Sequence, residues 1–139
     1  MRGMTLVELL VVVVLVAVLA TVAIPSYRSH VLRTHRVEAR TALLALAVAQ
    51  EKFFLQHNTY ATQTELSEAP PGGLGLPGTS ANARYVLSID SASESDYSAT
   101  ATATGTQVGD HDCATFSTNA LGQRSATRLD GSASSACWN

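Results

Sequence analysis

Hydrophobic and polar positions divide this chain into three unlike stretches. From Met4 to Ile24 only Thr5, Glu8 and Thr21 are polar. Roughly 20 apolar residues rising about 1.5 Å each can cross a hydrocarbon core of about 30 Å, so this stretch predicts a membrane-spanning helix. From Ser26 to about His57 the pattern becomes amphipathic. Ala39, Leu43, Leu46, Ala47, Gln50 and Phe54 follow three- and four-residue spacing and predict one buried stripe, with Arg33, Arg36 and Arg40 lined up elsewhere on the helix. Between the two halves stands Pro25. It lacks an N–H and its ring clashes with the Thr21 carbonyl, which predicts a kink or local loosening.

Past the helix, Asn58-Thr59-Tyr60 opens a long connection. The Pro- and Gly-rich run from Ala69-Pro70-Pro71-Gly72-Gly73 to Pro77-Gly78 excludes regular structure. The rest of the chain alternates with period two. Tyr85, Leu87 and Ile89 predict one strand, and Tyr97, Ala99, Ala101 and Ala103, alternating with Ser98, Thr100, Thr102 and Thr104, predict a second with an alanine face that leaves room for the helix. A third strand is expected from about Cys113 to Thr118 and a fourth from Gln123 to Thr127. Between them Asn119-Ala120-Leu121-Gly122 suits a hairpin turn. The expectation is an α+β fold in which one long amino-terminal helix packs on a four-stranded antiparallel sheet.

Composition changes this picture in two respects. Of the 139 residues 46% are apolar, but many of these lie in the first stretch, so the soluble core must be modest. The net charge of -2 conceals an asymmetry: residues 28 to 57 carry +3 and residues 58 to 139 carry -5. An acidic head argues against nucleic acid as a partner, because such binding needs clustered cations to displace counterions. Arg124 and Arg128 leave room only for a small basic patch.

Glu8 is the chemical anomaly. An ionised carboxylate inside an apolar span costs at least a few kcal/mol unless it lies near the interface or meets a positive partner, so it marks a functional site. An ordinary secretory signal cut after Thr21-Val22-Ala23 is one competing reading, and a plain single-span anchor is another. Against the first stand the acid within the apolar core and a helical pattern that continues past the supposed cut. Arg2 favours a cytoplasmic amino terminus, an argument that Arg28 and Arg33 on the far side weaken.

Gly3-Met4-Thr5-Leu6, Glu8 and the Ala23-Ile24-Pro25-Ser26-Tyr27 run resemble the class III signal of type IV pilins. The resemblance implies cleavage between Gly3 and Met4 by a prepilin peptidase and methylation of the new amino terminus at Met4. It also implies that Glu8 neutralises the terminal amine of a neighbouring subunit within a filament, and that the helix around Pro25 can unwind when subunits pack. A carboxylate paired with a buried ammonium in low dielectric can set the axial register between helices. The segments expected are a leader at 1–3, a transmembrane and filament-core helix at 4–27, and a periplasmic head at 28–139. Within the head, 28–57 is the amphipathic helix half, 58–83 the loop between helix and sheet, which in pilins contacts adjacent subunits, and 84–139 the sheet and carboxy-terminal region. The partners implied are other pilin subunits, the prepilin peptidase, the inner-membrane pilus assembly machinery, and the membrane itself before assembly. The head would lie in the periplasm first and in an extracellular pilus afterwards.

Cys113 and Cys137 are the only cysteines. Behind a membrane-targeting segment such a pair predicts a disulfide in an oxidising compartment, two free thiols being the alternative. In pilins a carboxy-terminal disulfide encloses an exposed loop, and the ending Ala136-Cys137-Trp138-Asn139 resembles minor pilins of the PilE type. A major pilin or a type II secretion pseudopilin would carry the same amino-terminal signal, and a DNA-uptake or adhesive pilin is the alternative of another class.

No catalytic constellation, metal site or cofactor is expected. His30 and His35 are five apart, which turns them about 140° from each other on a helix. Asp110-His111-Asp112 offers hard oxygen ligands to a cation, but not the number that calcium requires.

Overall fold

The computed structural model describes residues 5–138. Gly3 and Met4, on which the cleavage and methylation expectations fall, lie outside the described residues. Helix α1 runs from Leu6 to His57, 52 residues in all. At about 1.5 Å per residue it is close to 80 Å long. Thr5 caps its start, its side-chain oxygen accepting from the Glu8 N–H at 3.2 Å. Asn58 ends it in the left-handed region at φ 55°, with its N–H donating to the Phe54 carbonyl. Asparagine tolerates that conformation, and the bond satisfies a terminal carbonyl. The helix passes Pro25 without a break.

Four strands follow: β1 (Tyr85–Ala92), β2 (Tyr97–Ala103), β3 (Thr115–Asn119) and β4 (Arg124–Thr127). Each pairs antiparallel with the next in the order β1-β2-β3-β4. The third strand begins two residues later than its apolar pattern suggests, because the Cys113 N–H is bonded to the Asp110 carbonyl in a turn. Between β3 and β4 the chain reverses through Gly122 at φ 71°, with the Gly122 N–H donating to the Asn119 carbonyl.

Register decides what faces the helix. Leu87, Ala101, Phe116 and Ala126 lie abreast across the four strands, and Ile89, Ala99, Thr118 and Arg124 form the next row. All of these except Arg124 are buried. Ala99 and Ala101 are fully enclosed, so the helix approaches the sheet over β2 as the alanine face requires. The outer face carries Ser88, Thr100, Ser117 and Ser125 in one row and faces water.

The buried stripe of α1 is Arg36, Ala39, Leu43, Leu46, Gln50 and Phe53, spaced alternately by three and four. Two expectations are corrected by that phase. Phe53 rather than Phe54 is the core residue, and Phe54 stacks half-buried on Tyr60 with ring centroids 4.7 Å apart. Arg36 belongs to the buried stripe and does not line up away from it with Arg33 and Arg40.

The connection from residue 58 to 83 is more ordered than its composition suggests. It contains a 3-10 turn at Gln63–Glu65, and three backbone bonds staple it: Leu74 N–H to Glu65, Gly75 N–H to Glu68, and Leu76 N–H to Leu66. Gly73 sits where a Cβ would come within 2.4 Å of the Glu65 carbonyl oxygen. Only glycine fits that crossing.

Candidate functional site

Every described residue before Arg36 is exposed or half-buried. The amino-terminal part of α1 is long and apolar enough to cross a membrane, and none of its apolar window is buried among the described residues. Glu8 lies in the first turn of this bare helix, where unpaired N–H groups and the helix dipole favour a carboxylate by about 0.3–1 kcal/mol. Its side chain is presented outward. Pro25 lies on the same uncovered stretch, seven residues before the first hydrogen bond between helix and head among the described residues.

That contact is at Leu32, whose carbonyl accepts from Gln107 Nε2 at 3.0 Å. His35 Nδ1 meets Gln107 Oε1 at 3.2 Å. One turn on, Arg36 donates from Nε to Asp110 Oδ2 at 2.6 Å and from Nη2 to Oδ1 at 2.7 Å. Both side chains are largely buried, at 9% and 5% exposure. The Asp110 hydrogen bond raises the Arg36 pKa against the opposing effect of burial. Asp110 is therefore occupied as an anchor between the helix and its turn. Among the described residues no group of three or more His, Cys, Asp or Glu could hold a metal.

Two further ties fix the head. Glu38 accepts from Ser80 Oγ at 3.0 Å, from Asn82 Nδ2 at 2.8 Å and from the Asn82 N–H at 3.3 Å, and it pairs with Arg84. Burial pushes this carboxyl up, but the bonds from Asn82, Ser80 and Arg84 outweigh it and hold the group below its usual range. Higher on the helix, the buried Gln50 amide donates to the Ala61 carbonyl and accepts the Ala61 N–H, both at 2.8 Å. An amide on the apolar stripe is the one trace of this tie in the sequence. The partners Asp110, Asn82 and Ala61 lie in irregular segments, where periodicity carries no information.

The tail is held by the Cys113–Cys137 disulfide, with a Cα separation of 5.7 Å, and both cysteines are fully buried. Next to it Trp138 sets its ring edge-on to Phe116 at 5.7 Å, donates from Nε1 to the Ser125 carbonyl at 2.7 Å, and lies under the Arg124 guanidinium. Arg128 is instead engaged with Ser132 Oγ and the Ala133 carbonyl. Arg124 and Arg128 thus serve different neighbours. Between α1 and the β3–β4 turn runs an open cleft of about 500 Å³, with Arg40, Leu44 and Val48 on one wall and Asn119, Arg124 and Trp138 on the other.

A bare apolar helix on a small, disulfide-tied head is also what known proteins match. Residues 25–117 match the family described as type IV minor pilin ComP, DNA uptake sequence receptor, and residues 1–24 match the prokaryotic N-terminal methylation motif. The chain is 40% identical over 73 residues to the type IV major pilin protein PilA of Myxococcus xanthus, covering 52% of this chain and 33% of that protein. It is 30% identical over 88 residues to the type IV major pilin protein PilE1 of Neisseria gonorrhoeae, covering 63% of this chain and 38% of that one. The chain thus spans little more than a third of these relatives. With the type IV wide pilus major component PilA4 of Thermus thermophilus it shares 33% identity over 96 residues, 69% of each protein. The fold matches the non-core minor pilin PilV of Neisseria meningitidis with a TM-score of 0.55 at 20% identity, covering 77% of this chain and 97% of that one. The long helix, the four-stranded sheet and the family match over most of the head together place this chain in the type IV pilin family, among the minor pilins.

Proposed function

We propose that this chain is a minor structural subunit of type IV pili that helps to initiate or modify assembly, in the service of adhesion and twitching motility. The observation that carries the reading is a single helix with two fates. Its first half is apolar and uncovered, with one carboxylate in the first turn, while the second half is locked to the head from Leu32 onward. Such a helix can leave a bilayer only for an environment that buries it again, and a bundle of sibling helices supplies one. On this reading prepilin peptidase cuts after Gly3, Met4 becomes the methylated terminus, and Glu8 pairs with the terminal amine of a neighbour. Pro25 lies where the helix can unwind without disturbing the head, since the first hydrogen bond from helix to head among the described residues is at Leu32. The precursor resides in the inner membrane with a periplasmic head, and the assembly machinery of that membrane extracts it. We assign it no catalytic role. The test is Glu8→Ala: the variant should accumulate in the membrane and be missing from sheared fibres. Normal incorporation would remove the pairing role.

A second reading rests on the family match over residues 25–117, whose description includes DNA uptake. Against it stands the charge of -5 on residues 58 to 139. Gel retardation with the detergent-solubilised, oxidised chain tests it. A shift that weakens steeply with salt would support DNA uptake, and no retardation even at low salt would exclude it.

A further inference from the structure

We infer that the small cleft where helix and head first meet holds the headgroup of a phospholipid that carries both a phosphate and a primary ammonium, as phosphatidylethanolamine does. The inference deepens the reading of the precursor as a membrane resident, and it rests on that reading.

Depth comes first. Counted from Leu6, about 20 residues rising about 1.5 Å each use up a hydrocarbon core of about 30 Å near Ser26. The headgroup layer adds roughly 5–7 Å on that side, or about four further residues. Tyr27, 70% exposed, and Arg28 therefore stand at the interface, where an amphipathic ring and a long cation are at home. Ser29 lies within the layer. Arg33 starts one turn higher, but helical side chains lean toward the helix start, so a long guanidinium there reaches back to the same level.

The head closes over this level from the other side. Gln107, in the 3-10 turn Gly105–Gly109, makes the tie to Leu32, and the loop that follows sets Gly109, His111 and Asp112 opposite Ser29, Leu32 and Arg33. The cleft between them has a volume of about 160 Å³. Pockets that enclose a drug-sized ligand have roughly 300–1,000 Å³, so this one fits a headgroup whose acyl chains stay in the bilayer. The same rim of the head carries apolar side chains in the open. Val108 is 41% exposed, and Leu129, whose N–H donates to the His111 carbonyl, is 55% exposed.

Charge selects the lipid. Arg36 and Asp110 also line the cleft but are bonded to each other, which leaves the exposed Arg33 as its cation and the exposed Asp112 as its carboxylate. The Ser29 hydroxyl donates to the Ser26 carbonyl and adds little. A phosphate on Arg33 and an ammonium on Asp112 satisfy both groups with charge-assisted hydrogen bonds, whereas a choline headgroup has no N–H to give Asp112. Anionic lipids are captured by clusters of roughly 4–8 basic residues. Here residues 58 to 139 carry -5, and an anionic surface would repel them. A headgroup held in this way fixes the height of the head above the bilayer and the rotation of the helix about its axis.

The test uses the full-length chain, stripped of lipid and reconstituted into vesicles of equal parts phosphatidylcholine, phosphatidylethanolamine and phosphatidylglycerol. Flotation reports insertion, and native mass spectrometry after gentle release reports retained lipid. One phosphatidylethanolamine should be retained per chain in preference to the other two. Arg33→Gln and Asp112→Asn should each cut that retention about tenfold, as loss of one charge-assisted bond requires. Gly109→Leu should lower it with both charges intact, because an added Cβ meets only Leu32 Cδ1 at 3.6 Å and can be accommodated while the cleft narrows. Lys52→Gln, higher on the helix, should leave it unchanged. Equal retention of the three lipids, or retention indifferent to the three cleft variants, would overturn the site and leave the membrane reading standing. Preference for phosphatidylglycerol that depends on Arg33 alone would also overturn it. Glycerophosphoethanolamine, which has the headgroup without the chains, should not displace the lipid, and displacement would reassign the cleft to a soluble ligand. A chain that does not float with the vesicles would overturn the membrane reading and the site with it.

Discussion

Arg36 and Asp110 face each other as a two-bond fork between α1 and the turn that leads into the disulfide. Their separation along the chain is 74 residues, and the pair is the lowest charged tie between helix and head. Removing one member strands the other in a buried site, which costs about 3–5 kcal/mol, whereas replacing both by apolar groups is often nearly neutral. Arg36→Leu should therefore destabilise a head fragment beginning at Arg28 by about that amount, and Arg36→Leu with Asp110→Leu should recover much of it. Urea denaturation of wild type, Arg36→Leu, Asp110→Leu and the double variant checks this. A double variant as unstable as the two losses summed would show that the pair is not coupled.

Acid and alkali should unfold the head for different reasons. The folded pKa of Glu38 lies below its ordinary value of 4.5, so its contribution is complete above that value and is lost as pH falls through the folded one. Tyr85 and Tyr97 behave in the opposite sense. Burial raises both from 10.0 to about 12, so the folded state holds them neutral, and stability declines as pH climbs through that interval. Urea midpoints should be flat near neutrality, fall below about pH 4.5 less steeply in Glu38→Gln than in wild type, and fall again above pH 10. An identical acid limb in Glu38→Gln would show that other carboxylates govern it.

The elements of this fold were legible because burial imposes a period. Alanines at 99 and 101 with Thr100 between them specify which face of β2 meets the helix, and the structure buries those alanines completely. Where the period is interrupted by chemistry the sequence misleads. Arg36 looks like part of a basic row with Arg33 and Arg40 off the apolar stripe, yet it faces the core because Asp110 waits there in a loop with no pattern of its own. The shift from Phe54 to Phe53 has a milder cause. Strict alternation of three and four through Gln50 reaches 53, and Phe54 is left to stack on Tyr60. The cleft between α1 and the β3–β4 turn has no linear signal, since its walls come from residues about 80 apart in the chain. The amino-terminal site lies at the other extreme: a carboxylate in an apolar run is visible from composition, while the partner proposed for it belongs to another molecule.

Gly73 should be intolerant of even one methyl group. Its added Cβ would lie 2.4 Å from the Glu65 carbonyl oxygen and 2.7 Å from that of Glu68, both backbone atoms that cannot swing aside. Gly73→Ala must open the crossing that staples the connection, at a cost of about 1–3 kcal/mol by analogy with overpacked cores. Hydrogen exchange should show Leu74, Gly75 and Leu76 losing protection while the strands keep theirs. Gly78 has no atom near its Cβ position, so Gly78→Ala is the matched control and should leave exchange unchanged. Equal effects from the two substitutions would mean that the close approach at 73 is immaterial.

Trp138 is the only tryptophan in the chain, one residue beyond the disulfide, which makes the tail its own reporter. In the oxidised protein the indole lies against Phe116, under Arg124 and bonded to Ser125. Closing a loop over a separation of 24 residues restricts the unfolded chain by about 3–4 kcal/mol in the chain-entropy account. Because the ties of Arg36 to Asp110, Glu38 to Asn82 and Gln50 to Ala61 join α1 to the head without using residues 128–138, reduction should release the tail without unfolding the head. Tryptophan emission should then shift to longer wavelength and become quenchable by iodide, while far-ultraviolet circular dichroism stays near the oxidised value. Phe116→Leu should produce part of the same emission change with the disulfide intact, since it removes the aromatic edge that the indole meets. Simultaneous loss of both signals on reduction would show that the bridge supports the whole head and not only its last segment.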